Sequence, residues 1–267
     1  MKEFVSPEIE NNTIEELSRQ LLKANNALKK LQEEREIMFA NISHDLRAPM
    51  TAIRSALDLT FSEQNPSPED MIKTLELVDR RAKTLESLIN DMYYLYRIGA
   101  SKAEEVQEEI EAAALIEEYF YDLQIDSKYD DFVLKLDVKP ESECVVKINV
   151  QEIIRVLDNI FSNAARYSGK GSTITLGAGK SADGKSFVIT VEDNGCGIPE
   201  DKLPYVFLRT YTVSDSRTPG SDRSGSGLGL AIAKAIIEKH KGTIECESKV
   251  GEGTRFIIGL PVEIKED

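Results

Sequence analysis

Apolar residues recur at alternating spacings of three and four along the first part of the chain: Ile14, Leu17, Leu21, Ala24, Leu28, Leu31, Met38 and Ile42, with Arg35 as the polar interruption. This is the seam of a two-stranded coiled coil. His44 falls two residues past a seam position and so faces away from it. Pro49 cannot donate to the carbonyl of Asp45, which predicts a bend or loosening just after His44. Ile53, Leu57 and Phe61 then resume an apolar stripe. Ser67-Pro68-Glu69-Asp70 reads as a helix start, with Ser67 as N-cap, Pro68 at the first helical position and two carboxylates favouring the helix dipole. A second heptad follows at Met71, Leu75, Val78, Ala82, Leu85, Ile89, Met92 and Tyr96, with Gly99 as its stop. Residues 14–98 therefore predict a long helical hairpin. One hairpin buries two seams poorly, whereas two hairpins in a homodimer close a four-helix bundle.

The pattern changes near residue 104. A helix is expected over 104–124, strands at 132–138 and 145–148, and a helix over 150–167. Two more strands follow at 172–178 and 187–192, the second alternating and β-branched. Residues 198–203 start a helix, and 208–226 form a long polar loop. A helix over 228–241 and strands at 243–248 and 254–260 close the pattern. Strands mixed with helices suggest an α/β sandwich with one helical layer. The whole reads as α plus α/β, in three parts: a coiled-coil linker over 1–35, a helical domain over 36–99 and an α/β domain over 104–264.

Composition sharpens this picture in three places. The net charge of −14 disfavours nucleic acid and anionic lipid as partners, since both are polyanions. Three scattered cysteines, Cys144, Cys196 and Cys246, argue against a disulfide framework and fit a reducing compartment. The absence of a long apolar run or a signal-peptide pattern predicts a cytoplasmic chain. The coiled coil that begins near Ile14 suggests that an upstream sensor or membrane segment lies outside it.

Four stretches carry chemistry. In Asn41–Ile53, a neutral imidazole at His44 is a competent nucleophile, and Asp45 can hold one ring nitrogen as N–H. Taken singly, an exposed helix histidine without a role is the better reading; the Pro49 bend and the Asp45 neighbour weigh against it. His240, near a helix end, is read as favourable with the helix dipole and nothing more. In 158–167, Asn159 and Asn163 stand one turn apart, on a polar stripe extended by Glu152, Arg155 and Arg166. Amide oxygens suit Mg²⁺, with a solvated helix face as the even alternative. In 192–199, an aspartate at a strand end beside two glycines can accept from a purine amino group. Last, Gly225-Ser226-Gly227-Leu228-Gly229-Leu230 opens a helix, where backbone N–H groups favour phosphate; a flexible lid hinge is the competing reading.

In this order the stretches resemble the cytoplasmic transmitter of a two-component sensor histidine kinase. Asn41–Ile53 looks like the H box, Asn159–Tyr167 the N box, Asp193–Ile198 the G1 box and Gly225–Leu230 the G2 box. Gly251-Glu252-Gly253-Thr254 resembles the late Gly-x-Gly-Thr element. The resemblance implies a dimerisation and phosphotransfer bundle followed by a Bergerat-type (GHKL) ATP-binding sandwich. It implies that His44, oriented by Asp45, takes the γ-phosphoryl group of ATP and passes it to an aspartate of a response regulator. Asn163 is then expected on Mg²⁺ with Asn159 beside it, Arg166 near the phosphates, Tyr167 against the adenine and Asp193 on its amino group. Gly195, Gly197, Ile198, Gly225, Ser226, Gly227, Leu228 and Gly229 are expected around the nucleotide, and Thr254 at its adenine end. Residues 208–226 become an ATP lid, with Arg209 as a further phosphate contact.

Two positions depart from the family pattern. Ala48 stands where a Thr or Asn usually supports phosphatase activity, and its methyl group cannot hold a water, so weak phosphatase activity is expected. Thr210 stands where the F box usually has a second phenylalanine, which implies a looser lid. The alternatives are an ATP-binding signalling dimer without catalysis, and a related ATPase or serine-directed kinase.

Overall fold

The computed structural model describes residues 7–62, 67–100, 107–139, 144–208 and 227–263. Helix α1 (Pro7–Ser62) and helix α2 (Pro68–Ala100) form the hairpin. The α2 start is capped as the sequence predicts: the Asp70 N–H donates to Ser67 Oγ at 3.1 Å, and Ser67 Oγ donates back to the Asp70 carboxylate at 2.6 Å. Helix α1 runs through Pro49 without a break, and Pro49 is buried against the hairpin. The missing N–H costs one hydrogen bond, but the packed face keeps the helix intact. Helix α2 likewise continues past Gly99 to Ala100. Glycine is disfavoured inside a helix by only about 1 kcal/mol, too little to end one that packs along its length.

Within the single hairpin the predicted α2 row is only partly buried, with Val78, Leu85 and Met92 half-buried. Leu88 and Leu95 are buried, whereas Leu75 is 62% exposed, Ile89 51% and Tyr96 74%. The inward side of α1 carries Ile42, Pro49 and the half-buried Ile53 and Leu57. Helix α2 thus has two apolar rows. One closes the hairpin; the other points away from it, as do Leu17, Leu21 and Leu28 on α1.

The C-terminal part is a two-layer sandwich. Strands β2 (Val133–Val138), β4 (Thr173–Lys180), β5 (Ser186–Asp193), β7 (Gly253–Pro261) and β6 (Thr243–Lys249) form one sheet in the order β2-β4-β5-β7-β6. The β2–β4 pair is parallel and the others antiparallel. Helices α3 (Ala112–Ile125), α4 (Val150–Tyr167) and α5 (Gly229–Lys239) cover one face. The alternating residues Phe187, Ile189 and Val191 of β5 and Phe256, Ile258 and Leu260 of β7 meet Ile153, Leu157, Ile160 and Phe161 of α4 in a continuous core. Burying a side chain of the size of Phe161 contributes about 1.5–3 kcal/mol, so this face drives the fold.

The expected helix over 104–124 begins later. Residues Glu108–Glu111 instead form strand β1, antiparallel to β3 (Val145–Ile148). The Glu111 carboxylate caps α3 by accepting from the N–H groups of Ala113 and Ala114, so the chain can turn from strand to helix at that residue. Glu200–Tyr205 is a six-residue 3-10 helix with Pro204 inside it, rather than an α-helix.

Candidate functional site: a buried polar row and a separate histidine

The inward face of the sheet ends in polar residues. Asp193, at the last position of β5, pairs in register with Thr254 of β7, which pairs with Ser248 of β6. Asp193 and Thr254 are 7% and 8% exposed. Asp193 Oδ1 accepts from the Gly195 N–H at 2.8 Å and stands 3.4 Å from the Ser168 hydroxyl at the C-cap of α4. Burial pushes the Asp193 carboxyl upward, against the lowering effect of the Gly195 and Thr254 N–H groups and of Ser168. Cys246, beside it on the same face, is pushed up to about 12, first by burial and then by the Asp193 charge. A buried carboxylate with its Oδ1 side already engaged is a ready acceptor for one more donor.

Glycine is required here for backbone packing. At Gly253, with φ +118°, an added Cβ would lie 1.9 Å from the Asp193 carbonyl oxygen. At Gly197, φ +70°, it would lie 2.1 Å from the Lys249 carbonyl oxygen. The 193–198 turn therefore lies directly on the β6–β7 turn, and the Gly251 N–H donates to the Cys196 carbonyl at 2.9 Å. On the other side, the Cys196 N–H donates to the carbonyl of Tyr167, whose half-exposed ring is at the rim.

The side of the site away from Asp193 is built from α4 and the start of α5. Asn159, Asn163 and Arg166 lie along α4, half-buried. Leu228 is buried and Gly227 has φ +64°. An added Cβ on Gly229 would stand 3.0 Å from Asn159 Oδ1, so the glycine turn packs on this asparagine. Asn159 Nδ2 is buried and, among the described residues, without a hydrogen-bond partner. Such an orphaned donor costs about 1–3 kcal/mol unless a ligand accepts from it. Arg209, Thr210, Gly225 and Ser226, and all but the first residue of the expected lid, lie outside the described residues.

The polar stripe on α4 divides in two. Its C-terminal half faces the cleft, and its N-terminal half holds α2. Arg155 donates to the Asp91 carboxylate at 2.8 Å and stacks 3.9 Å over the Tyr94 ring. The Tyr94 hydroxyl donates to Glu152 Oε1 at 2.5 Å, and Lys239 donates to the same oxygen at 2.8 Å. His240, expected as a dipole partner, is instead a core residue, 3% exposed. Its Nδ1–H donates to the Ile236 carbonyl at 2.8 Å, and its Nε2 accepts from the Asn149 N–H at 3.0 Å. Asn149 in turn caps α4 through the Glu152 N–H. The ring therefore ties α5 to the start of α4.

His44 is elsewhere, on the outer side of α1, with its side chain 56% exposed. Its Nδ1 stands 3.3 Å from Asp45 Oδ1, and among the described residues it makes no hydrogen bond or ion pair with Asp193, Thr254 or the α4 asparagines. The Nδ1–H tautomer that Asp45 favours leaves the Nε2 lone pair free.

Two family models match: the His Kinase A (phospho-acceptor) domain over residues 34–101, and the histidine kinase-, DNA gyrase B- and HSP90-like ATPase over 148–264. The chain belongs to the two-component sensor histidine kinases. Sensor histidine kinase WalK of Bacillus subtilis is 31% identical over 244 residues, covering 89% of this chain and 38% of the relative. Sensor protein SrrB of Staphylococcus aureus is 31% identical over 233 residues, covering 86% and 39%. The chain thus spans under two fifths of the length of these sensor kinases. Among solved structures, the histidine kinase ThkA in complex with response regulator protein TrrA has a TM-score of 0.68 at 21% identity, over 88% of this chain and 66% of that one. Acinetobacter baumannii histidine kinase AdeS gives 0.61 at 21%, over 83% and 98%. These likenesses establish the sensor-kinase fold: a helical hairpin followed by a GHKL-type ATPase sandwich. Among the described residues no helix is long and apolar enough to cross a membrane.

Two residues of the cleft, Ser168 and Ser248, escape a reading by motif. Ser168 directly follows Tyr167. Ser248 ends the inward row Ile244, Cys246, Ser248 of an alternating strand, which is a signal the sequence does contain.

Proposed function

We propose that this chain is an ATP-dependent protein-histidine kinase that phosphorylates its own His44 and hands the phosphoryl group to an aspartate of a response regulator. The reading is carried by one observation: α4 bears the Asn159 amide, whose buried Nδ2 has no partner among the described residues, and at the C-cap of the same helix Ser168 stands beside the buried Asp193 carboxylate, a donor toward one end and an acceptor at the other. ATP has the complementary ends, phosphate oxygens and an amino group. Asp193 accepts from the adenine amino group with Thr254 beside it, Tyr167 lies along the base, and Asn159 and Arg166 meet the phosphates. Gly195, Gly197, Ile198, Gly227, Leu228 and Gly229 shape the backbone around it, with Arg209, Gly225 and Ser226 on the lid side.

The donor set fits Mg²⁺ carried in with the nucleotide. The amide oxygen of Asn163, with Asn159 next to it, is a hard ligand, and phosphate and water oxygens complete such a shell. The ion would neutralise charge on the phosphate chain. The rest is positioning. Asp45 holds the proton on Nδ1 and supports the positive charge that grows on the ring. The Nε2 lone pair forms the N–P bond while the bond from the γ-phosphorus to the bridging oxygen breaks, and ADP leaves. Because His44 stands apart from the cleft, the ATP-binding domain moves to reach it, or the partner protomer supplies the nucleotide.

Residues 36–99 serve as the dimerisation and phosphotransfer domain, 104–264 as the ATP-binding domain and 1–35 as the coiled-coil linker. The second apolar row of α2, with Ile72, Leu75 and Ile89 about half or more exposed, supports a homodimeric four-helix bundle. Ala48, exposed one turn beyond His44, supports weak phosphatase activity. The same reading carries a cytoplasmic location for this chain.

The test is incubation with γ-labelled ATP and Mg²⁺, comparing wild type with His44→Gln. Label that depends on His44, survives base and is lost in acid is expected. Retained ATP binding without label would overturn the kinase reading, and acid-stable label would point to a different acceptor.

A further inference from the structure

The Ser248 hydroxyl is saturated. It donates to the Gly253 carbonyl at 2.7 Å and accepts from the Ile198 N–H at 2.8 Å. It also lies 3.0 Å from Thr254 Oγ1. A serine hydroxyl has one proton and two lone pairs. The carbonyl can only accept and the N–H can only donate, so the Ser248 proton and one lone pair are committed. The remaining lone pair faces Thr254, and in that pair Thr254 must be the donor. Thr254 is thereby stripped of its ambivalence. Its proton points back into the sheet, and only acceptor lone pairs remain for whatever enters the cleft.

We propose that Ser248 is a positioning residue for base selection: by fixing the Thr254 hydroxyl as an acceptor beside the Asp193 carboxylate, it selects adenine over guanine. The inference rests on the assignment of this cleft to ATP. Asp193, Thr254 and Ser248 occupy one cross-strand row, so Asp193 and Thr254 side chains are neighbours on the inward face. Two adjacent acceptors match the amino group at the 6-position of adenine and oppose the carbonyl oxygen that guanine carries there. A free threonine hydroxyl would rotate and donate to that carbonyl, relaxing the choice. The same Ser248 oxygen holds the Ile198 N–H, so it also anchors the end of the 193–198 turn.

The experiment measures ADP and GDP binding to the full chain by calorimetry, with melting temperature recorded alongside. In Ser248→Ala, ADP is expected to weaken by about tenfold, the worth of one well-made hydrogen bond, while GDP changes little or improves. Discrimination therefore falls by about tenfold. Ser248→Thr, which keeps a hydroxyl, is expected to restore it to within about threefold. Thr254→Val is expected to lose the same discrimination, and adding Ser248→Ala to it to cost no more. Unchanged discrimination in Ser248→Ala overturns the inference, as does equal weakening of ADP and GDP in step with a lowered melting temperature. Wild type that binds no adenine nucleotide would instead overturn the ATP assignment itself.

Discussion

Replacing Asp193 by Asn changes one atom pair at the centre of the cleft. Oδ1 is engaged by the Gly195 N–H at 2.8 Å, so the amide oxygen takes that place and the NH₂ group falls where the second carboxylate oxygen was. On the proposed ATP pose it there meets the adenine amino group, donor against donor. A hydrogen bond to a charged acceptor contributes about 1.5–3 kcal/mol, which corresponds to roughly a 10- to 150-fold weaker Kd for ATP. Stability moves the other way. Burial raises the Asp193 pKa above its ordinary value, so its contribution to folding is full below the unfolded pKa and is lost as pH rises through the folded one. At neutral pH the ionised group is a cost, and the Asn variant is expected to melt no lower than wild type. ATP binding needs the ionised carboxylate, so wild type is expected to lose affinity on acidification above the usual carboxylate range. That component should be missing in the variant, while the phosphates' own titration is common to both. Calorimetric Kd values across pH, with thermal melts, check this. Binding kept within about threefold, or lost together with the fold, would refute the reasoning.

Three further outcomes are expected. Gly253→Ala forces a Cβ into the Asp193 carbonyl at a positive φ, a strain of about 1–3 kcal/mol before the clash is counted, so melting should fall by at least about 5 °C; a change within about 1 °C would contradict the packing. Tyr94→Phe removes the hydroxyl on Glu152, and docking of α4 on α2 should weaken by about tenfold, seen as faster hydrogen exchange at 150–156. Equal protection in the two proteins would count against that contact. Leu75→Glu with Ile89→Glu places charge on the outer row of α2 and, for the proposed homodimer, should shift sedimentation from dimer to monomer without loss of helicity.

Helices α1, α2 and α4, and most strands, are legible because their periodicities are long. What the hairpin buries is less so. Leu75 and Leu88 are equally apolar, and the choice between an inner and an outer row depends on how the two helices meet, which no single helix encodes. Residues 108–111 read as helix because Glu108, Glu109 and Glu111 around a single Ile110 carry no strand signal; pairing with β3 decides their state. In the cleft, Asp193, Thr254 and the glycines stand in motifs. Ser168 and Ser248 act through register between strands and a helix end distant in sequence. Glu152 and Arg155 sit on the same polar stripe as Asn159, and only the docking of α2 separates their role from that of the asparagines.

The chain's two histidines are in opposite situations. One ring is sealed at the C-cap of α5 with both nitrogens occupied, and the other stands in solvent. A reagent that acylates exposed imidazoles should therefore take up a single equivalent per protomer. That equivalent reports on His44 alone and disappears as its Nε2 becomes occupied. The fold thus carries its own occupancy readout, usable on the unaltered protein without a radiolabel.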